Sequence, residues 1–141
     1  MSYRIWLFIA GIAGGTAVLA AAYGAHGLNG VVTVSPMVKI YDTATLFHAL
    51  HSIVLMLTAV LLAATEGRRG PFATVMLNLA AAAFFLGILL FSGGIYYHIA
   101  CGIQSVTPIV PAGGIAFVVG WAALALSAFG FRAAAVNPVS Q

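Results

Sequence analysis

Three observations predict an all-α fold: an integral membrane four-helix bundle with the N- and C-termini in the cytoplasm. Only five Lys/Arg and two Asp/Glu occur among 141 residues, so 5% of the chain is charged and 63% is apolar. Four long apolar runs divide the sequence, and most of the cations gather on one side of them. A soluble domain carries about 25% charged residues. With 5% charge and a mean hydropathy of +1.13, this chain cannot coat a water-facing surface. A soluble enzyme, a nucleic-acid binder and a disordered chain are thereby excluded, and the lipid bilayer is the expected partner. The net charge of +3 comes from scattered residues that form no basic patch. A single cysteine, Cys101, excludes an internal disulfide framework and a CxxC motif.

A membrane span needs roughly 20 mostly apolar residues to cross about 30 Å of hydrocarbon. Four segments of one transmembrane domain, residues 1–141, meet this: Ile5–Tyr23, Thr43–Ala64, Phe72–Tyr97 and Ile109–Phe131. The first resembles a signal peptide, with Arg4, an apolar run and small residues near Ala20 to Ala25. Its uncharged run exceeds the apolar core of about 7–15 residues of a cleavable signal, so a retained helix is expected. Loop one, Gly24–Asp42, holds Gly24, Gly27, Gly30, Ser35 and Pro36. Loop two, Thr65–Pro71, is a short turn in which Pro71 suits the first position of a helix. Loop three, His98–Pro108, has no charge, and the tail Arg132–Gln141 closes the chain.

Helices are the only credible spans. Backbone groups in lipid must be satisfied internally, and runs such as Ile53-Val54-Leu55-Met56-Leu57 lack the alternation of a barrel strand. Four spans place the N-terminus, loop two and the C-terminus on one side. That side carries Arg4, Arg68, Arg69 and Arg132, against Lys39 alone on the other. The positive-inside rule makes it the cytoplasmic side. The expected location is the plasma (inner) membrane of a bacterium.

Small residues suggest close helix contacts. Gly11 and Gly15 form a GxxxG motif in span one, with Ala13, Ala17 and Ala21 repeating nearby. Gly93 and Gly94 interrupt span three, and Gly113 and Gly114 follow Pro111 in span four. Such positions let backbones approach where lipid supplies no hydrophobic drive. They serve packing within the bundle or the docking of another membrane protein or a second copy.

The polar residues are unevenly placed. His26, Asp42, His48, His51, Ser92, Tyr96 and His98 all fall toward the non-cytoplasmic side. The other half offers only Asn78, Thr58, Thr74 and Ser127. From a start near Thr43, His48 lies about 8 Å deep and His51 about 12 Å. Three residues apart on one helix, they can face one cavity, with Tyr41 and Ala44 on the His48 side. Ionisable residues within a membrane usually point into the bundle and mark a functional site.

Such a cluster could hold a metal or haem, with His48 and His51 the candidate ligands. It could also relay protons through His and Tyr, or form a pocket for a quinone or lipid head group. The structural alternative is that neutral histidines hydrogen-bond across helices and only fix packing. Tyr96-Tyr97 and Trp6 read as interfacial aromatics, and Trp121 as packing. No HExxH, GxSxG, P-loop or dinucleotide motif occurs. The two carboxylates, Asp42 and Glu66, fall on opposite sides of the membrane, so no catalytic constellation is found and no enzyme activity is expected.

Four stretches in order resemble one family. Gly24-Ala25-His26-Gly27-Leu28 is similar to its GAHGL motif, and Tyr41-Asp42-Thr43-Ala44 with Phe47-His48-Ala49-Leu50-His51 to its Y-x-T-A-x-x-Y-H-x-x-H block. Phe91-Ser92-Gly93-Gly94-Ile95-Tyr96 resembles F-S-G-S-L-Y. Pro111-Ala112-Gly113-Gly114 with Phe117 and Gly120-Trp121 resembles T-P-x-G-G-x-x-F-x-x-G-W. These belong to the domain-of-unknown-function 423 family, small four-helix membrane proteins that include transmembrane protein 256 of animals. Val110 stands where the pattern has Thr, Gly94 replaces its second Ser, and loop one is longer. The resemblance implies four spans and makes His26, His48, His51, Ser92 and Tyr96 motif positions. It implies no activity and no particular cofactor.

The leading functional expectation is therefore an accessory or scaffolding component of a membrane complex. The alternative is a ligand site in the outer half of the bundle for a metal, haem, quinone or lipid.

Overall fold

A computed structural model describes residues 2–27, 35–101 and 108–131. Leu28, Gly30, Ser105, Thr107 and the tail Arg132–Gln141 lie outside the described residues. Helix α1 spans Tyr3–His26, α2 Ser35–Ala64 and α3 Pro71–Gly87. A π-helical turn, Ile88–Ser92, joins α3 to α4, Gly93–Cys101. Helix α5, Ile109–Ser127, ends in a tight 3₁₀ turn, Ala128–Gly130. Four stretches are long and apolar enough to span a membrane: Tyr3–His26, Pro36–Ala64, Pro71–Cys101 and Ile109–Gly130.

Each expected apolar run lies within one of these stretches or overlaps it, and the first connection is shorter than its composition suggested. Helix α2 begins at Ser35 rather than Thr43, with Pro36 in its first turn and Lys39 and Asp42 on exposed helical positions. Charges mark the limit of the hydrocarbon, not the end of a helix, whose backbone bonds continue into water. Gly24, expected as a loop residue, continues α1. A Cβ there would lie 2.7 Å from Cε1 of Tyr41, so this glycine admits the tyrosine ring. The Tyr41 hydroxyl then donates to the Ala20 carbonyl at 2.7 Å, tying α2 to α1.

At the opposite end the turn between α2 and α3 is built locally. Gly67 has φ +85°, a left-handed conformation that glycine enters without steric cost. Pro71 begins α3 after the extended Gly70. Arg69 folds back, its Nη1 donating to the Leu62 carbonyl and its Nε to Thr74 Oγ1 at 3.1 Å. The guanidinium thus satisfies a carbonyl in the last turns of α2 that would otherwise lack a partner. Arg4, Arg68 and Arg69 share this end of the bundle.

Helix α1 packs along α2, α5 packs along α3, and α2 meets α3 between them. Leu55, Leu62, Leu77 and Phe84 fill the shared core. Ala10, Ala13 and Ala17 are the buried face of α1, which lets its backbone lie close to α2. Val18, Leu46, Ile115 and Val118 point outward, as lipid-facing side chains do. One polar tie joins α1 to α3 near the arginine end: Trp6 Nε1 donates to Asn78 Oδ1 at 2.9 Å.

The Ser92-Gly93-Gly94 interruption has a definite form. The Gly93 N–H reaches the Ile88 carbonyl, so one extra residue enters the helical ladder just before the glycine pair. A Cβ on Gly94 would stand 3.1 Å from Val110 Cγ2, so Gly94 admits α5. Gly113 is tighter still: its Cβ would fall on the Phe91 backbone, 2.8 Å from Cα. Gly11, Gly15 and Gly114 have nothing within 4 Å of that position, and Gly93 has only the Ile88 carbonyl at 3.8 Å. Packing among the described residues therefore requires Gly113 to be small, leaves little room at Gly94, and does not constrain the other four.

Candidate functional site

The residues singled out from the sequence separate into distinct environments. His26 is exposed in the last turn of α1, and Asp42 is exposed on α2. His98 lies partly buried on α4. Ser92, fully buried, donates to the Ala44 carbonyl at 2.8 Å. His48 and Tyr96 line one cavity together. Among the described residues no three His, Cys, Asp or Glu side chains converge as a metal site would require.

His48 and His51 do not share that cavity, contrary to the expectation from their spacing. The angle between them on α2 places them against different neighbours. His51 turns toward α5 and stacks on Phe117, ring centroids 3.6 Å apart and planes 15° apart. Phe47 at 5.6 Å and Phe84 at 5.7 Å complete an aromatic surround, with the Trp121 ring edge-on at 6.3 Å. Both ring nitrogens of His51 are engaged. Nδ1 lies 2.8 Å from the Phe47 carbonyl, which can only accept, and Trp121 Nε1, which can only donate, points at Nε2 from 3.4 Å. These partners select the neutral Nδ1–H tautomer. His51 is held between α2 and α5 by these contacts.

His48 turns the other way. It is 6% exposed, with Nε2 3.4 Å from Thr16 Oγ1 on α1 and Nδ1 3.3 Å from the Tyr96 hydroxyl on α4. Thr16 Oγ1 spends its own hydrogen on the Ile12 carbonyl at 2.9 Å or the Ala13 carbonyl at 3.0 Å. Toward His48 it is therefore an acceptor. Neutral His48 accordingly carries its hydrogen on Nε2 and offers the Nδ1 lone pair to Tyr96.

This polar group closes one end of a cavity of about 390 Å³ between α1, α3, the π-turn and α4. Phe8, Ile9, Ile12, Phe85, Ile88 and Leu89 form its walls. Phe8 to Thr16 along α1 covers about 12 Å at the helical rise. Gly93, whose Cβ position is open, forms part of the lining beside Tyr96. A long apolar slot with few hydrogen-bonding groups at one end matches the general form of a small-molecule pocket.

Sequence reasoning missed Thr16, Trp121 as the partner of His51, and the Phe47–Phe117 surround. Thr16 had one signal: it is the only Ser, Thr or Asn between Arg4 and His26. Phe117 and Trp121, four residues apart, share a helix face, but nothing in that spacing names a histidine as their partner.

Residues 20–114 match the family described as protein of unknown function (DUF423), a stretch that holds Tyr41, His48, His51, Ser92 and Tyr96. The chain belongs to this family. It is 30% identical to the UPF0382 membrane protein YwdK of Bacillus subtilis, over 89% of this chain and 96% of that one. A UPF0382 membrane protein of Staphylococcus haemolyticus is 31% identical over 78% of this chain and 83% of its own length. One from Staphylococcus aureus is 27% identical over 91% and 98%. No solved structure matches the chain. These relatives, all three bacterial membrane proteins, and the four spans agree on an integral membrane protein, and none of the three names states an activity.

Proposed function

We propose that this protein is a plasma-membrane protein that binds a lipophilic molecule with an oxygen-bearing head group, taken laterally from the bilayer. The observation that carries this reading is the position of His48 and Tyr96, with Thr16, at the end of an otherwise apolar cavity. His48 is buried and hydrogen-bonded as His51 is, but it and Tyr96 border space that a molecule can fill. With Arg4, Arg68 and Arg69 at the cytoplasmic face, the polar end of the cavity belongs to the outer half of the membrane. A quinone or a lipid suits this lining better than a metal or haem, because the cavity offers one imidazole and two hydroxyls among otherwise apolar side chains.

The test is purification from native membranes in mild detergent, followed by extraction and mass spectrometry. A stoichiometric lipophilic molecule supports the reading when a cavity-filling Gly93→Leu variant loses it. Equal recovery from both proteins overturns it. Metal analysis and an optical spectrum of the same sample separate quinone and lipid from metal and haem.

A second reading, an accessory component of a larger membrane complex, draws on a different surface. Gly11, Gly14 and Gly15 border a groove between α1 and α2 that no side chain of the described residues fills. A partner helix could approach closely there. Size measurement of the natively purified protein tests this, and a strictly monomeric species without a co-purifying chain counts against it.

A further inference from the structure

We infer that the polar end of the cavity is short of hydrogens, and that it takes an uncharged lipophile whose head is a hydroxyl rather than a carbonyl, ester or ether oxygen. The inference rests on the ligand-site reading above and names the chemistry of the head group.

Thr16, His48 and Tyr96 are the polar side chains of the lining, and Thr45 lies within reach of the Tyr96 hydroxyl. Two of their hydrogens are directed out of this group. Thr16 gives its hydroxyl hydrogen to the Ile12 carbonyl at 2.9 Å or the Ala13 carbonyl at 3.0 Å. Thr45 gives its own to the Tyr41 carbonyl at 3.0 Å. Each acceptor lies about one turn back in the same helix, the usual partner of a helical threonine. What remains is the His48 Nε2–H and the Tyr96 O–H. Four acceptor atoms surround these two hydrogens: Thr16 Oγ1, His48 Nδ1, Tyr96 Oη and Thr45 Oγ1.

The distances agree with this shortage. The Nε2–H meets Thr16 Oγ1 at 3.4 Å, and the Tyr96 hydrogen is shared between His48 Nδ1 at 3.3 Å and Thr45 Oγ1 at 3.4 Å. All three are longer than a well-formed hydrogen bond. Neither neighbour of Tyr96 has a hydrogen to return, so its oxygen accepts nothing from them. A ligand hydroxyl completes the group: its hydrogen goes to a lone pair of Tyr96 Oη, and no existing bond is given up. A carbonyl, ester or ether oxygen would add a further acceptor and bring no hydrogen. To meet it, Tyr96 would turn its hydrogen away from His48 and Thr45, leaving an imidazole nitrogen bare in apolar surroundings. A site completed by one head group and left with unpaired groups by another discriminates between them. No Lys, Arg, Asp or Glu is among the lining residues, so an uncharged head is the one that fits.

The experiment uses the full chain in nanodiscs of neutral lipid, with empty nanodiscs subtracted so that partition into the bilayer cancels. Two pairs of probes are titrated: dodecan-1-ol against dodecan-2-one, and dodecylhydroquinone against dodecylbenzoquinone. Within a pair the carbon skeleton is of equal size, and only one member brings a hydroxyl hydrogen. In a pair that binds, the hydroxyl member should bind about tenfold tighter, the scale of one hydrogen bond gained against one given up. The tighter of the two hydroxyl probes tells a lipid alcohol from a quinol as the source of the head group.

Thr16→Val gives a readout that a purely structural role would not. It keeps the shape of an exposed side chain and removes the acceptor of the His48 Nε2–H, which is then left for a carbonyl. Dodecan-2-one should bind this variant about tenfold tighter than it binds the parent, and the preference for the alcohol should vanish. Loss of packing alone would weaken both probes. A bound pair whose carbonyl member is as tight as its hydroxyl partner overturns the inference and leaves the cavity reading standing. So does an alcohol preference that persists in Thr16→Val. Absence of saturable binding by every probe, or binding that survives Gly93→Leu, overturns both.

Discussion

Ser92 donates its hydroxyl hydrogen to the Ala44 carbonyl oxygen at 2.8 Å, with no part of the serine accessible. The bond joins the end of the π-turn to α2 one helical turn before His48. It thereby holds the segment that carries Tyr96 against the segment that carries His48. An extra residue in a helical ladder rotates the helix beyond it, so the π-turn and this bond together set the facing of Tyr96.

Ser92→Ala should therefore lower stability modestly and loosen the site. Interhelical hydrogen bonds in membranes contribute about 0.6 kcal/mol on average and up to about 1.7. A loss of about 1 kcal/mol in detergent unfolding is expected, together with weaker retention of any cavity ligand. Unchanged stability and retention would show that α2 and α4 are held in register by packing alone.

Gly113→Ala and Gly114→Ala should differ sharply although the residues are adjacent. The first places a methyl group on the Phe91 backbone, whereas the second meets nothing within 4 Å. Overpacking of this kind costs about 1–3 kcal/mol, and backbone cannot give way as a side-chain tip can. Gly114→Ala should be neutral or slightly stabilising, through helix propensity. Thermal unfolding of the two variants under one condition decides, and equal destabilisation would contradict the close crossing of α5 over the π-turn at Phe91.

The two central histidines should hold opposite tautomers in ligand-free protein. Nitrogen-15 spectra are expected to show His48 as the Nε2–H form and His51 as the Nδ1–H form, assigned through single substitutions. Trp121→Phe removes the donor to His51 Nε2 and should perturb the His51 signals while leaving those of His48 in place. A shift of both would mean that the aromatic surround and the cavity are coupled.

Gly93→Leu should fill the cavity without unfolding the bundle, because a Cβ at this position approaches only the Ile88 carbonyl, at 3.8 Å. Retention of bound lipophile should fall at least about tenfold, the equivalent of roughly 1.4 kcal/mol. Thermal stability should stay near that of the parent. Full retention would move the binding site elsewhere.

How far the site was legible differs from residue to residue. The His48–His51 spacing on an apolar helix marked α2 as the place to look, and Ser92 and Tyr96 stood out as hydroxyls within an apolar run. Their division into a packing histidine and a cavity histidine was not legible. It depends on which neighbours meet each ring, and Thr16, Phe117 and Trp121 lie on other helices far away in the chain. The asymmetry of the glycines was equally hidden, since Gly113 and Gly114 differ only in which of them faces Phe91.

The sequence by itself determined the class of the protein and the number of its spans. Both result from a solvent requirement: apolar runs of sufficient length must leave water, and their backbone bonds can be closed only within helices. Family membership was legible in the same way, from motifs that survive in order along the chain. The tertiary structure alone decided that α1 continues past Gly24, that α2 starts well before Asp42, that a π-turn precedes Gly93, and that His48 borders a cavity while His51 stacks among aromatic rings. Hydropathy acts through the sum over a segment, so it can be read from composition. Which side chain meets which depends on helix rotation and close packing between segments distant in sequence, and no local pattern of residues encodes it.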